Sequence, residues 1–225
     1  MDELIRFLKQ VPKEITAVVM PDFFLDRLIA LEQTSAEFAK TLQNVAERKG
    51  GSLDGIRQTD IRGGNAVNTA SALAALGVKV TPIVCTSKLG LQRVEYHLKP
   101  LGADTSHVKV MGEASLTTAL ELSAAEGKVN VMLRDLGSLA DFGPADLSDK
   151  DYEAIERADY VCVFNWAGTR LHGTELAQRV FQKAKAGGKG RTYLDTAVTP
   201  AIRRNWSVRP WCQHSTAKTG AATHT

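Results

Sequence analysis

The sequence predicts an α/β fold with a mostly parallel sheet. Short apolar segments typical of buried strands alternate along the chain with amphipathic segments of helical period. The 225 residues are 44% hydrophobic and 24% charged, which is enough apolar material for one globular domain with a sizeable core. We expect this domain to span residues 1–197, and residues 198–225 to form an atypical tail.

The first half of the chain gives two strands and three helices. A short apolar run ends at Pro21 and predicts a buried strand over Ala17–Met20. The segment "SAEFAKTLQNVAERKGG" has apolar residues at helical spacing and a Gly-Gly stop. Further along, "NTASALAALG" predicts a helix ending at Gly77, "VKVTPIVCT" a strand, and "LQRVEYHLKPLG" a helix ending at Gly102.

The second half opens with a pattern that a parallel sheet does not need. Two alternating segments, "TTALELS" and "KVNVMLR", flank "AAEG" and predict a β-hairpin near residues 115–135. Ser148 and Asp151 then form a capping-box pattern at the start of the helix "SDKDYEAIERAD". The remaining segments predict the strand "YVCVF", the helix "GTELAQRVFQKAKAGG" and the strand "RTYLDT".

Composition excludes several classes of protein. No apolar run approaches the ~18 residues that cross a bilayer, and the first 15 residues lack the order of a secretion signal. We interpret them as a short surface helix of a cytoplasmic protein. Three widely spaced cysteines fit neither a disulfide framework nor a zinc site. Cys85 and Cys162 lie in apolar runs and are expected to be small core side chains.

The net charge of +3 is not a nucleic-acid signal. Residues 198–225 hold four basic residues and no acid, so 28 − 4 = 24 basic and 25 acidic residues remain in the rest of the chain. A nucleic-acid surface needs basic residues clustered on a folded face, and the body of this protein is close to neutral. We therefore expect neither a nucleic-acid nor a membrane partner.

The stretch "IRGGNAVNTASALAALG" places bare backbone at the mouth of a helix. In parallel sheets, ligands bind beyond the carboxyl ends of strands, on loops that lead into helices. Gly63 and Gly64 allow close approach of the main chain to a ligand, and Asn65 and Asn68 offer neutral donors and acceptors of the kind that sugar hydroxyls need. The alternative is a tight turn with a helix cap. Neither a dinucleotide fingerprint nor a phosphate loop is present.

"GGNAVNTASALAALG" resembles the N-terminal signature of the ribokinase-like, or PfkB, family of carbohydrate and nucleoside kinases. "PDFFLD", "LGADTSHVKV" and "TTALELSAAEGKVNVMLRD" are similar, in order, to further segments of that family. The resemblance covers about residues 14–197 and implies a three-layer α/β/α fold with a small β-strand lid, from which the C-terminal part is missing. One departure is that Ser87 and Lys88 stand where the family often has Gly-Asp-Asp, which leaves the substrate subclass open.

The resemblance also implies an activity, phosphoryl transfer from ATP with Mg²⁺ to a hydroxyl of a sugar or nucleoside, and a homodimer formed through the lid. Asp26, with Asp22 as the alternative, would hydrogen-bond substrate hydroxyls, although either acid is otherwise a surface carboxylate. Asn165, at the carboxyl end of "YVCVFNW", would approach the same pocket or be a simple turn residue. The substrate-binding residues implied are Asp26, Gly63, Gly64, Asn65, Asn68 and Asn165.

The family's C-terminal catalytic segment, a Gly-Ala-Gly-Asp pattern, has no match in residues 198–225. No catalytic residue is therefore assigned, and the chain is expected to be catalytically incomplete. The tail contains no Leu, Asp or Glu but two of the three tryptophans, which suggests a translated wrong frame. The coding DNA tests this, since an early stop in the alternative frame would refute it.

Two other functions remain open at this point. The first is a sugar- or nucleoside-binding module, or pseudokinase, that has lost transfer activity. The second is an α/β nucleotide-binding protein of another class, which would bind ATP without any effect of sugar.

Overall fold

The computed structural model describes residues 14–197, together with Glu3 and Arg6. The N-terminal helix expected in the first 15 residues therefore lies largely outside the described residues, and the tail 198–225 lies wholly outside them. In chain order the elements are β1 (Thr16–Met20), β2 (Phe24–Thr34), α1 (Ser35–Glu47), β3 (Arg57–Gly63), α2 (Asn65–Ala75), β4 (Lys79–Pro82), β5 (Cys85–Thr86), α3 (Lys88–Leu98), β6 (Lys109–Val110), β7 (Ser115–Ala124), β8 (Gly127–Asp135), α4 (Asp149–Arg157), β9 (Tyr160–Val163), α5 (Gly173–Ala186) and β10 (Arg191–Leu194).

A four-stranded sheet forms the middle layer, with the order β10-β9-β1-β4 and all pairs parallel. Its two inner strands, β1 and β9, are short, largely apolar runs because helices cover both faces. Buried residues of α2 and α3 pack on one face with Val19 and Val80. Buried residues of α4 and α5 pack on the other face with Val18 and Val161. The expected α/β fold in three layers is confirmed.

A second four-stranded sheet, which we call the lid sheet, has the order β3-β2-β7-β8. The hairpin pattern corresponds to β7 and β8, which pair from Leu116↔Asp135 to Ala124↔Gly127. Strand β2 pairs antiparallel with β3 and parallel with β7. The lid sheet is therefore twice the size that the hairpin pattern indicated, because β2 and β3 were not recognised from the sequence.

Two further details differ from the sequence pattern. The single strand expected over "VKVTPIVCT" is divided into β4, in the central sheet, and β5, which pairs with β6 in a separate two-stranded sheet. The helix α1 is capped by Thr34 and Glu37 but contains no buried residue, so its apolar stripe contributes nothing to the described core.

Strand β10 lies at one edge of the central sheet, and among the described residues it pairs with β9 alone. All four of its residues are exposed. Such an edge presents unpaired backbone groups that another strand can take up.

Candidate substrate-binding site

The loop before α2 is held by a buried acid that lies far away in sequence. Asp22, two residues after β1, is 1% exposed. Its carboxylate accepts the backbone N–H of Asn65 at 2.9 Å and of Ala66 at 2.8 Å. Since Gly64 has no side chain to cap the helix, Asp22 satisfies the free amides and complements the helix dipole. Burial raises the pKa of Asp22, while these hydrogen bonds oppose the rise.

Two asparagines connect this cap to the neighbouring strands. Asn165 follows β9, is 5% exposed, and has a left-handed φ of 49°. Its amide nitrogen donates to Asp22 Oδ2 at 3.2 Å. Asn65 donates from Nδ2 to Oδ2 of Asp195, which follows β10, at 2.8 Å. The carboxyl ends of β1, β9 and β10 are thus joined to the start of α2 by side-chain hydrogen bonds.

The two glycines are required by close packing. Gly64 has a φ of 97°, and a Cβ there would lie 2.7 Å from the carbonyl oxygen of Asp22 and 2.8 Å from Cα of Phe23. A Cβ at Gly63 would collide with the carboxylate of Asp26. The loop is therefore bare because β2 and the loop before it pass directly over it.

Asp26 lies on β2 with its carboxylate against Gly63. One carboxylate oxygen, Oδ1, is buried and has no hydrogen-bond partner among the described residues. An unpaired buried acceptor costs about 1–3 kcal/mol, so such a group requires an explanation. Since water does not reach this oxygen, an outside donor could satisfy it only if the residues that cover it moved.

The structure brings together five of the six residues predicted to bind substrate, in two adjoining groups. Asp26 contacts Gly63, while Gly64 and Asn65 meet the cap made by Asp22, to which Asn165 also donates. Asn68 lies one turn into α2, where its backbone N–H donates a hydrogen bond to the carbonyl oxygen of Gly64. The Asn68 side chain is exposed and makes no hydrogen bond to a described residue, so it remains available to a ligand.

Three clefts are described, and none of them is lined by Asn68 or by the two glycines. The largest, about 620 Å³, lies between helix α3 and the lid sheet and is bordered by Asp26 among others. The second, about 400 Å³, lies between Arg134 and Arg170. The third, about 510 Å³, lies against α1. A ligand that contacts both Asp26 and Asn68 would therefore occupy space outside these three clefts.

Sequence reasoning missed the parts played by two acids. Asp22 was only the alternative to Asp26 as a substrate ligand, and Asp195 was given no part. Asp22 lies two residues after β1 and Asp195 directly follows β10, and both strands pair in parallel with β9. An acid at the carboxyl end of a parallel strand is the signal that would have found them.

Other chemistry is not assembled in the part of the chain that the structure describes. No group of three or more His, Cys, Asp or Glu side chains there is arranged to hold a metal ion. Nor does any described helix have the length and apolarity needed to span a membrane. Cys85 is buried, as expected for a core side chain, and burial raises the pKa of its thiol to about 12. Cys162 is half-buried.

The sequence matches the pfkB family of carbohydrate kinases over residues 34–207, and the chain belongs to this family. The match contains the loop at Gly63 and Gly64 and begins after Asp22 and Asp26. No match is found among curated proteins.

Solved sugar kinases have the same fold. The structure of Arabidopsis thaliana ribokinase complexed with ribose and ATP has a TM-score of 0.63 and 16% sequence identity, covering 82% of this chain and 54% of its own. The structure of Xylella fastidiosa fructokinase has a TM-score of 0.60 and 15% sequence identity, and the match covers 84% of this chain and 52% of the fructokinase chain. The structure of an uncharacterized sugar kinase from Pyrococcus horikoshii has a TM-score of 0.58 and 17% sequence identity, and the match covers 85% of this chain and 57% of the kinase chain. The chain therefore spans about half the length of these proteins.

Proposed function

We propose that this chain forms the acceptor-binding part of an ATP-dependent carbohydrate kinase, in which the Asp26 carboxylate accepts a hydrogen bond from a sugar hydroxyl. The observation that carries this proposal is the buried Oδ1 of Asp26, which has no partner among the described residues. Hydrogen bonds to an ionised acceptor contribute about 1.5–3 kcal/mol. A bound polyol would supply the donor that the described residues do not, once the residues covering Oδ1 shift to admit it.

The residues near Asp26 have two kinds of role. Four of them shape or hold the loop, and one, Asn68, has a side chain that no described residue hydrogen-bonds. Gly63 gives the Asp26 carboxylate room, and Gly64 allows the loop to pass under β2. Asn65 and Asn165 already donate to Asp195 and Asp22. We propose that these two hold the loop in place, and that the exposed Asn68 amide contacts the substrate.

ATP and Mg²⁺ enter the proposal through the family. The solved ribokinase, fructokinase and Pyrococcus sugar kinase include complexes with ATP. The described residues of this chain offer no arrangement of three metal-ligating side chains, and we assign none of them to the nucleotide or to the transfer step. ATP would supply the phosphoryl group, and the described residues would bind and orient the acceptor.

This division supports a chain that binds a sugar or nucleoside in the cytoplasm without transferring phosphate to it by itself. The same geometry serves a second candidate, a binding module or pseudokinase. The two candidates make the same prediction for this chain, and they differ in whether a longer form of the protein transfers phosphate.

We further propose a homodimer formed through the lid sheet. Several large apolar side chains of this small sheet are 41–61% exposed. Apolar area of this kind is typical of a protein interface. These side chains lie on two faces of the sheet, with Leu116, Val129, Val131 and Leu133 on the face that carries Arg62, and Leu28, Ile61 and Met132 on the face that carries Asp26.

Isothermal titration of the full 225-residue chain with ribose, fructose and adenosine tests the proposed function. We expect saturable binding of at least one of these compounds and no phosphorylated product in the presence of Mg-ATP. Asp26→Asn is expected to weaken that binding about tenfold or more, since loss of a charged hydrogen bond costs about 1.5–3 kcal/mol.

Asp54→Asn provides the matched control, because Asp54 is an exposed acid between α1 and β3. It removes the same charge and should leave binding unchanged. Absence of binding by all three compounds, or equal weakening by Asp26→Asn and Asp54→Asn, would contradict the proposed role of Asp26. Turnover with Mg-ATP would contradict the proposed lack of transfer.

A further inference from the structure

The largest cleft has a chemistry that sugar binding does not explain. It lies between helix α3, which contributes Leu89, Arg93 and His97, and strands β2, β3 and β7 of the lid sheet. Its volume of about 620 Å³ is within the range of small-molecule sites, about 300–1,000 Å³.

The strand register places Arg62 on the face of the lid sheet opposite the Asp26 carboxylate, although Asp26 also borders the cleft. Arg62 pairs with Leu25, and Ile61 pairs with Asp26. Directly paired residues share a face, and consecutive residues point to opposite faces. The side chain of Arg62 therefore lies on the α3 side, whereas the Asp26 carboxylate lies over Gly63.

Positive charge on the α3 side exceeds negative charge. Arg27 and Asp60 neutralise each other through two hydrogen bonds of 2.7 and 3.0 Å. Arg62 and Arg93 make no hydrogen bond or close ion pair with a described residue, although the charge of Arg93, after the hydrogen bond from Arg27, contributes to lowering the pKa of Asp60. The pKa of His97 is lowered, mainly by burial and to a smaller extent by the charges of Arg62 and Arg93, so both arginines lie close to His97.

Like charges repel, so an anion bound between the two guanidinium groups would offset the part of their repulsion that solvent and Asp60 leave. The guanidinium fork matches the geometry of phosphate and carboxylate oxygens. Around these groups the cleft also has apolar side chains, Leu25, Leu89 and Leu116, that suit the carbon skeleton of a ligand. We propose that the cleft between α3 and the lid sheet binds a small organic oxyanion through Arg62 and Arg93, at a site separate from the Asp26 pocket.

Titration of the full chain with two probes at fixed ionic strength tests this site. Glycerol 3-phosphate supplies a phosphate monoester, and citrate supplies carboxylates without phosphate. We expect at least one probe to bind saturably below about 10 mM, which would largely fill a site with a Kd of about 1 mM. The probe that binds more tightly identifies the class of oxyanion.

Three variants make the test specific. Arg93→Gln and, separately, Arg62→Gln should each weaken binding about tenfold or more, because each removes a charge-assisted contact. Lys88→Gln removes the same charge from an exposed position at the start of α3, outside the cleft, and should change the Kd less than about twofold because exposed charges are screened. Circular dichroism confirms that each variant folds.

Failure of both probes to bind would overturn the proposal, as would equal weakening by Lys88→Gln and Arg93→Gln, which would indicate general charge attraction. Asn68→Ala should leave oxyanion binding intact, because Asn68 does not line this cleft. This outcome separates the oxyanion site from the proposed sugar site, so either proposal can fail alone.

Discussion

Replacement of Gly64 by alanine measures how tightly the loop before α2 is packed. A residue with a side chain is strained at the φ of 97° that Gly64 adopts, at a cost of about 1–2 kcal/mol. The new Cβ would also lie 2.7 Å from the carbonyl oxygen of Asp22 and 2.8 Å from Cα of Phe23. Both are backbone atoms that cannot swing aside. Overpacking of this kind adds about 1–3 kcal/mol, so we expect a total destabilisation of about 3 kcal/mol.

Gly77→Ala is the matched control. Gly77 ends the same helix with a similar φ of 86°, but a Cβ there would meet nothing within 4 Å. This variant should lose only the backbone term, about 1 kcal/mol. Equilibrium urea unfolding gives both free energies, and thermal unfolding should show a fall in Tm of about 2–4 °C for each kcal/mol. Equal losses for the two variants would refute the packing that we describe between the loop and β2.

Two further predictions concern buried and surface acids. Asp151 is fully buried and forms an ion pair with Lys109, so Asp151→Asn should lower the free energy of unfolding by about 3–5 kcal/mol. As a control, Glu153→Gln on the exposed side of the same helix should lower it by under about 1 kcal/mol. A similarly small loss for Asp151→Asn would contradict the buried ion pair. Hydrogen bonds from Thr16 lower the pKa of Asp159 to about 2. The ionised Asp159 should therefore add about 1 kcal/mol to the free energy of unfolding, after allowance for exposure. This stabilisation should be complete above the ordinary pKa of about 3.9 and lost as the pH falls toward 2. An acid unfolding curve of the wild-type chain that matches the curve of Asp159→Asn would exclude it.

The central sheet could be predicted because its signals are local. Short apolar runs followed by amphipathic helices determine strand and helix identity without knowledge of partners, and the capping box of α4 was visible in Ser148 and Asp151. The strands β2 and β3 were missed because their side chains are mostly exposed or half-buried, with charged residues at Arg27 and Asp60. Such strands are stabilised by pairing within the lid sheet, which a local pattern does not contain.

The sequence indicated which residues lie in the candidate site, but it did not indicate which of them contact one another. The loop at Gly63 and Gly64 was identified, and its resemblance pointed to the family that the sequence match shows. The hydrogen bonds of Asp22 connect positions 43 and 44 residues apart. Contacts of that range depend on how β1 meets α2 in three dimensions, so spacing alone could not distinguish the helix cap at Asp22 from the orphaned carboxylate at Asp26.

A crystal structure of the chain with a bound sugar that titration has selected tests the central claim most directly. We expect a sugar hydroxyl about 2.5–3.0 Å from Asp26 Oδ1, with the sugar ring beside Asn68. A sugar bound elsewhere, with Asp26 Oδ1 still unpaired, would contradict the proposed role of this carboxylate.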